Sequence, residues 1–302
     1  MIKLKIKDSF HTYAIITILF WSLANVLTRL SLNYFSAFSL GFFRYAIASF
    51  ALLVFSVITK MEVPKKSDLK WFALAGLVGF SLYMIAFNKG CETVSSATSS
   101  VMLATVPVIT SILARFIYKE RMSVIKWAAT AIEFFGVIVL TLMEGVFTFN
   151  PGLLWLIGAA LLLSIYNLVQ RKITKKYSGL QASTFGIFFG TLFLSAFLPS
   201  TVEQVKYAPP QAFVYVAVLG IFPSAIAYAA WSQAFKLAKN AASVSNYMFM
   251  TPFLASLMGY LLAGERPDSA TLTGGSIILL GLFVFNFGER IMKRKEIETA
   301  GQ

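Results

Sequence analysis

Only 13% of the 302 residues are charged and 58% are hydrophobic, against roughly 25% charged in an ordinary soluble domain, so the chain has no means of making a water-soluble surface. The formal charge of +13 comes from Lys and Arg scattered between apolar runs, without the basic face or tail that nucleic acid requires. One Cys (Cys91) and one His (His11) leave a disulfide, a metal site or a Ser/His or Cys/His catalytic pair without material, so we expect no enzyme, no metal and no cofactor.

An apolar run of about 20 residues spans a hydrocarbon core of about 30 Å, and ten such runs follow in chain order. The first, Phe10–Ser31, comes after Lys3, Lys5 and Lys7 as a signal peptide would, but it is too long for an h-region and carries Asn25 and Arg29, so it is expected to stay as a helix. Phe35–Thr59 holds Arg44 about ten residues in. Leu69–Asn88 is followed by Ala97–Tyr118, which opens on small residues from Ser95 to Ser100 and contains Pro107. Val124–Met143 has Glu133 at its middle. The second five are Pro151–Gln170, Leu180–Leu198, Ala212–Phe235, Ala241–Ala263 with Pro252, and Ala270–Phe287.

Lys and Arg are retained on the cytoplasmic side, and this orients the runs. With the N-terminus inside, only Arg29, Lys89, Lys206 and Arg266 fall outside, apart from Arg44 within the second run. An even number of spans with both termini cytoplasmic fits, whereas nine or eleven would put the Lys293–Lys295 tail outside.

Compared with itself, the chain repeats. At an offset of 145, Tyr83 falls on Tyr228, Ala97 on Ala242, Pro107 on Pro252, Ser111 on Ser256, Glu120-Arg121 on Glu265-Arg266 and Gly136 on Gly281. Ser22, Asn25 and Arg29 recur as Ser164, Asn167 and Arg171 at an offset of 142. Each repeat holds five spans, an odd number, so the second copy must enter from the opposite face. The expected fold is therefore an all-α integral membrane protein of ten transmembrane helices in two inverted five-helix repeats, residues 1–146 and 147–302. Ser123 and Asp268 are expected to cap the helices after the two Glu-Arg corners, which read as structural turns more than gates.

These features together resemble the EamA-type transporters of the drug/metabolite transporter superfamily: the paired repeat, the Gly264-Glu265-Arg266 corner with Lys119-Glu120-Arg121 in the first copy, a Pro in runs four and nine, and Arg44. The first copy departs at Lys119, where Gly is usual in the family. The resemblance implies a plasma-membrane carrier, often an exporter of amino acids or related metabolites, with a cavity lined mainly by helices one, three, four, six, eight and nine.

Pro107 and Pro252 each remove an N–H from mid-helix, freeing the carbonyl of Leu103 or Met248; the bend either shapes a midplane site or only sets packing. Polar and amphipathic aromatic residues inside the runs are the candidate substrate contacts: Trp21, Asn25, Tyr83, Asn88, Tyr166 and Asn167, then Tyr228, Trp231, Gln233, Asn246 and Tyr247. Each either lines a wet cavity or joins helices, a bond worth about 0.6–2 kcal/mol. Trp71, Trp127 and Trp155 lie near run ends and read as interface belt. Two charges sit deep. Arg44 can snorkel or pair with Glu133, and Glu133 is either a protonated structural group or a proton-coupling carboxyl. No carboxylate lies in the first run, which disfavours a cation/proton antiporter of the small-multidrug-resistance kind and favours a zwitterionic or neutral solute. The expected function is export of small polar metabolites, amino acids or related compounds, by alternating access. The alternatives are a drug or hydrophobic-cation exporter, a sugar or nucleotide-sugar carrier, and a non-transporting scaffold. Expected partners are the bilayer and a small-molecule substrate.

Overall fold

The computed structural model describes residues 9–93, 96–143, 151–263 and 269–300. The second corner (Gly264-Glu265-Arg266), Asp268, Ser95, the Glu144 to Asn150 turn and Lys3, Lys5 and Lys7 lie outside these residues. Among the described residues the chain is helical throughout and falls into ten stretches: α1 (Phe10–Ser31), α2 (Ala37–Ile58), α3 (Lys66–Thr93), α4 (residues 96–117), α5 (Val124–Met143), α6 (Gly152–Ile173), α7 (Gly179–Tyr207), α8 (Pro210–Leu237), α9 (residues 241–263) and α10 (Ser269–Ala300). Six of them, α1 to α3 and α6 to α8, are long and apolar enough to cross a bilayer. The other apolar stretches are shorter: Val106–Ile117 and Thr273–Gly288. The outer surface is apolar where a soluble protein would be charged; Phe50 is 70%, Phe116 77% and Val124 84% exposed.

Boundaries follow local chemistry. Ser36 and Ser178, equivalent under the offset of 142, cap α2 and α7 by accepting from Ser39 N and Gln181 N. Ser123 caps α5, accepting from Lys126 N at 3.4 Å. Beyond the expected end at Leu198, α7 turns at Ser195–Phe197 and runs on with Pro199 in its new first turn, where a missing N–H costs nothing. α4 ends in a Schellman-type turn, Glu120 N reaching Ala114 O at 3.3 Å, with Lys119 at φ 54. That left-handed conformation favours Gly, which accounts for the Gly of the corner pattern and leaves Lys119 strained at this place.

The packing repeats when α1–α5 are exchanged for α6–α10. α1 packs on α8 and α9, and α6 packs on α3 and α4; α2 packs on α8, and α7 on α3. α2 meets its own counterpart α7, and α5 meets α10. The α5–α10 seam is tight at the matched glycines: a Cβ on Gly136 would come 2.9 Å from Gly274 O, and one on Gly281 2.4 Å from Glu133 Cγ.

Candidate functional site at the junction of the two halves

Two pairs of irregular turns shape the centre. α3 and α8 each widen into a π-helical turn, at Leu77–Leu82 and Gly220–Ile226, close to one another under the offset of 145; such turns gather at functional sites. α4 is interrupted at Ala104 and Thr105, and α9 tightens into a 3₁₀ turn at Asn246–Phe249. Pro107 therefore sits in the first turn of a new helix segment, Val106–Ile117, not within a bent continuous helix, because a Pro is accommodated where no N–H is needed. Pro252 takes the matching place early in Met250–Ala263. The carbonyl before each Pro is met by matched serines: Ser164 Oγ lies 3.3 Å from Val106 O, and Ser22 Oγ 3.5 Å from Thr251 O.

Between these turns lies a narrow, nearly closed cleft whose free space is about 30 Å³, room for about one water. Its apolar wall is Trp21 and Ala24 of α1, Phe87 of α3, Leu103 of α4 and Met248 of α9, with Tyr83 and Tyr228 facing in from α3 and α8. The polar groups are Asn25, Arg44 and Thr251, each no more than 4% exposed. Asn25 donates to Trp21 O at 3.2 Å, but its Oδ1 and the Thr251 hydroxyl have no partner. A buried polar atom left this way costs about 1–3 kcal/mol, and a hydrogen-bonding solute recovers it.

Arg44 is held by a device that sequence reading missed. Pro223, inside the π turn of α8, cannot bond to Leu219 O; the Ser224 hydroxyl donates to that carbonyl at 2.8 Å and accepts from Arg44 Nε at 2.5 Å. The only available signal was Pro-Ser in an apolar run, and its partner lies 180 residues away.

Of the candidate contacts, Trp21, Asn25, Tyr83 and Tyr228 line the cavity. Trp21 also donates to Pro223 O at 3.2 Å. Asn167 is enclosed by Trp231 Nε1 at 3.0 Å and Thr110 Oγ1 at 3.2 Å, and Tyr166 is bonded to Gln170 at 2.5 Å beneath the cavity floor. Asn88 binds Ala37 O at 2.8 Å, joining α3 to α2, and Gln233 abuts Gly179 at the start of α7. Asn246 donates to Glu133 Oε1 at 2.7 Å, and Tyr247 contacts His11. Arg44 and Glu133 are thus held by different partners, the first in the cavity and the second between α5, α9 and α10. The lining of this cleft comes from helices one, two, three, four, eight and nine, while Tyr166 and Asn167 of α6 are held in the hydrogen bonds just described.

A larger and more open hollow of about 450 Å³ lies at the α4–α5 corner between Ser111, Arg115, Arg121 and Trp127. There Glu120 bridges the halves, pairing with Arg171 of α6 at 3.1 Å and accepting from Ala241 N of α9 at 3.0 Å. Arg171 reaches Ala238 O at 2.8 Å and also Lys239 O. At the same end Tyr177 donates to Asp68 at 2.7 Å, and that bond raises the phenol above its ordinary range.

The family model of EamA-like transporters matches residues 9–142 and again 150–287. The chain belongs to the EamA-like transporter family. It is therefore a membrane transporter built on a duplicated domain. Among relatives of this EamA-like transporter, the uncharacterized transporter YdfC of Bacillus subtilis is 33% identical over 263 residues, 87% of this chain and 86% of that protein. A probable terminal-alkyne amino-acid exporter of Streptantibioticus cattleyicolor is 27% identical over 288 residues (95% and 96%). An S-adenosylmethionine uptake transporter of Rickettsia conorii is 27% identical over 262 residues (86% of each). A solved crystal structure at 20% identity superimposes with a TM-score of 0.73 over 93% of this chain and 97% of that one, a likeness of fold.

Proposed function

We propose that this transporter exports small polar metabolites, amino acids first among them, across the plasma membrane by alternating access. The chain crosses ten times as two inverted five-helix repeats, residues 1–146 and 147–302, with both termini cytoplasmic. The packing that repeats on exchange of the halves supports this arrangement. Among the described residues, six of these spans have the length and hydropathy of a crossing, and Val106–Ile117 in α4 and Thr273–Gly288 in α10 are shorter apolar stretches.

The observation that carries the reading is the cavity between the halves, where an amide, a hydroxyl and a guanidinium face aromatic rings and no carboxylate lines the wall among the described residues. Such a set suits a small zwitterion: acceptors for an ammonium, a cation for a carboxylate, and Trp21, Tyr83 and Tyr228 for the side chain. A hydrophobic cation would meet Arg44 with like charge, which argues against the drug-exporter alternative. Among the relatives, an amino-acid exporter and an S-adenosylmethionine uptake protein name opposite directions. Export is the direction taken here because, at the same 27% identity, the exporter aligns over 95% of this chain and the uptake protein over 86%. The test is counterflow in proteoliposomes loaded with amino acids, hydrophobic cations, sugars or nucleotide sugars, followed by the intracellular amino-acid pool on expression in cells. Exchange of amino acids and a falling pool are expected; exchange confined to cations or sugars, or none at all, overturns the proposal.

A further inference from the structure

The one deep cation of the cavity has no anion. Arg44 is 3% exposed and lies in a wall where the described residues offer no carboxylate. Its five N–H groups meet only one good acceptor, Ser224 Oγ at Nε, and one weak acceptor, Met84 Sδ, 3.9 Å from Nη1. The Tyr45 ring, 5.8 Å from Cζ, offers the charge some compensation. A guanidinium in a membrane interior with a thioether and one hydroxyl as partners is costly, and such charges face a pathway or pair with an opposite charge.

Its orientation is imposed. Ser224 spends its proton on Leu219 O, so its lone pair accepts from Nε, which takes the Nε side of the guanidinium and leaves the Nη1/Nη2 edge, met only by Met84 Sδ, for a ligand. That edge is the fork that binds a carboxylate through two parallel hydrogen bonds. The cation also belongs to one half alone: the residue matching Arg44 in α7 is Gly186 at the offset of 142, so the symmetry of the repeat does not account for it.

Building on the transport reading above, we infer that Arg44 is the anchor for the substrate's carboxylate and that Ser224 is its positioning residue. The substrate class narrows to acids bearing a free carboxylate, and an amide of the same acid is discriminated against.

The experiment pairs amino acids with their primary amides, using purified protein in halide-free buffer for thermal protection and proteoliposomes for competition of flux. In the wild type the acid should compete at least about 10-fold better than its amide and alone raise the unfolding midpoint. Arg44→Gln should abolish this ratio by weakening the acid while leaving the amide unchanged, and Arg44→Lys should keep part of it. Ser224→Ala retains the charge and should lower the ratio several-fold, a second reading should Arg44→Gln not fold. Equal acid and amide competition in the wild type, a ratio that survives both substitutions, or equal protection by chloride overturns the inference. Flux without discrimination leaves the transport reading standing and removes Arg44 from it. Protection by acids that depends on Arg44, with no flux of any solute, does the reverse.

Discussion

Glu133 shows what a single buried carboxyl can be asked to do. It is fully buried, one oxygen accepts from Asn246 at 2.7 Å, and Gly281 leaves room for its stem. It does not line the cavity. Glu133→Gln keeps the volume and an acceptor, so flux and its response to a pH gradient should stay within two-fold of wild type, measured in proteoliposomes. Glu133→Leu strands the Asn246 amide and should destabilise by about 1–3 kcal/mol, read as a lowered unfolding midpoint with less protein recovered. Lys119 offers the opposite sign. At φ 54 its Cβ is strained by about 1–2 kcal/mol, so Lys119→Gly should raise the midpoint without altering flux. The depth of Arg44 and Glu133 was legible in the sequence because depth is a position within an apolar run. Their partners were not, because Ser224 and Asn246 lie more than a hundred residues away and a run does not reveal which face of its helix looks inward.

Single helices were read well where apolar length decides and less well where the backbone changes register. α1, α5 and α6 start within a residue of the expected runs. The π turns in α3 and α8, and the break in α4, were not visible, since they conserve hydropathy and alter only which carbonyl meets which N–H. Prolines were the partial clue: Pro107 and Pro252 pointed to irregular backbone, though at Pro107 the irregularity is a helix start. Pro107→Ala restores an N–H able to bond Leu103 O and straighten α4. Exchange should slow several-fold while insertion is preserved, and Pro252→Ala should act likewise; wild-type rates in both variants would remove these turns from the mechanism.

In the molecule as a whole, the contacts joining the halves at one end centre on Glu120, which ties α4 to α6 and to the start of α9. Its pair with Arg171 leaves both side chains 15% exposed, so removing one partner strands a largely buried charge, a larger cost than at a surface ion pair. Glu120→Gln should loosen that end. In a Cys91→Ala background, labelling of Thr110→Cys by a membrane-impermeant thiol reagent added from the side that the proposed orientation makes cytoplasmic should then rise several-fold, and unchanged labelling would make the corner a turn and nothing more. The duplicated plan was legible from aligned residues such as Tyr83 with Tyr228. The departures from it were not, because an alignment finds what two copies share.

Asn167 is enclosed by Trp231 and Thr110, whereas Asn25, its counterpart, has Ala86 and Ala255 at the matching places and keeps an open oxygen. Under the proposed alternating access, rocking the scaffold over therefore cannot turn one facing state into a mirror copy of the other, and a solute meets unlike walls from the two compartments. Half-saturating concentrations measured from either side must differ, with maximal velocities differing in the same proportion so that an ungated carrier builds no gradient of its own.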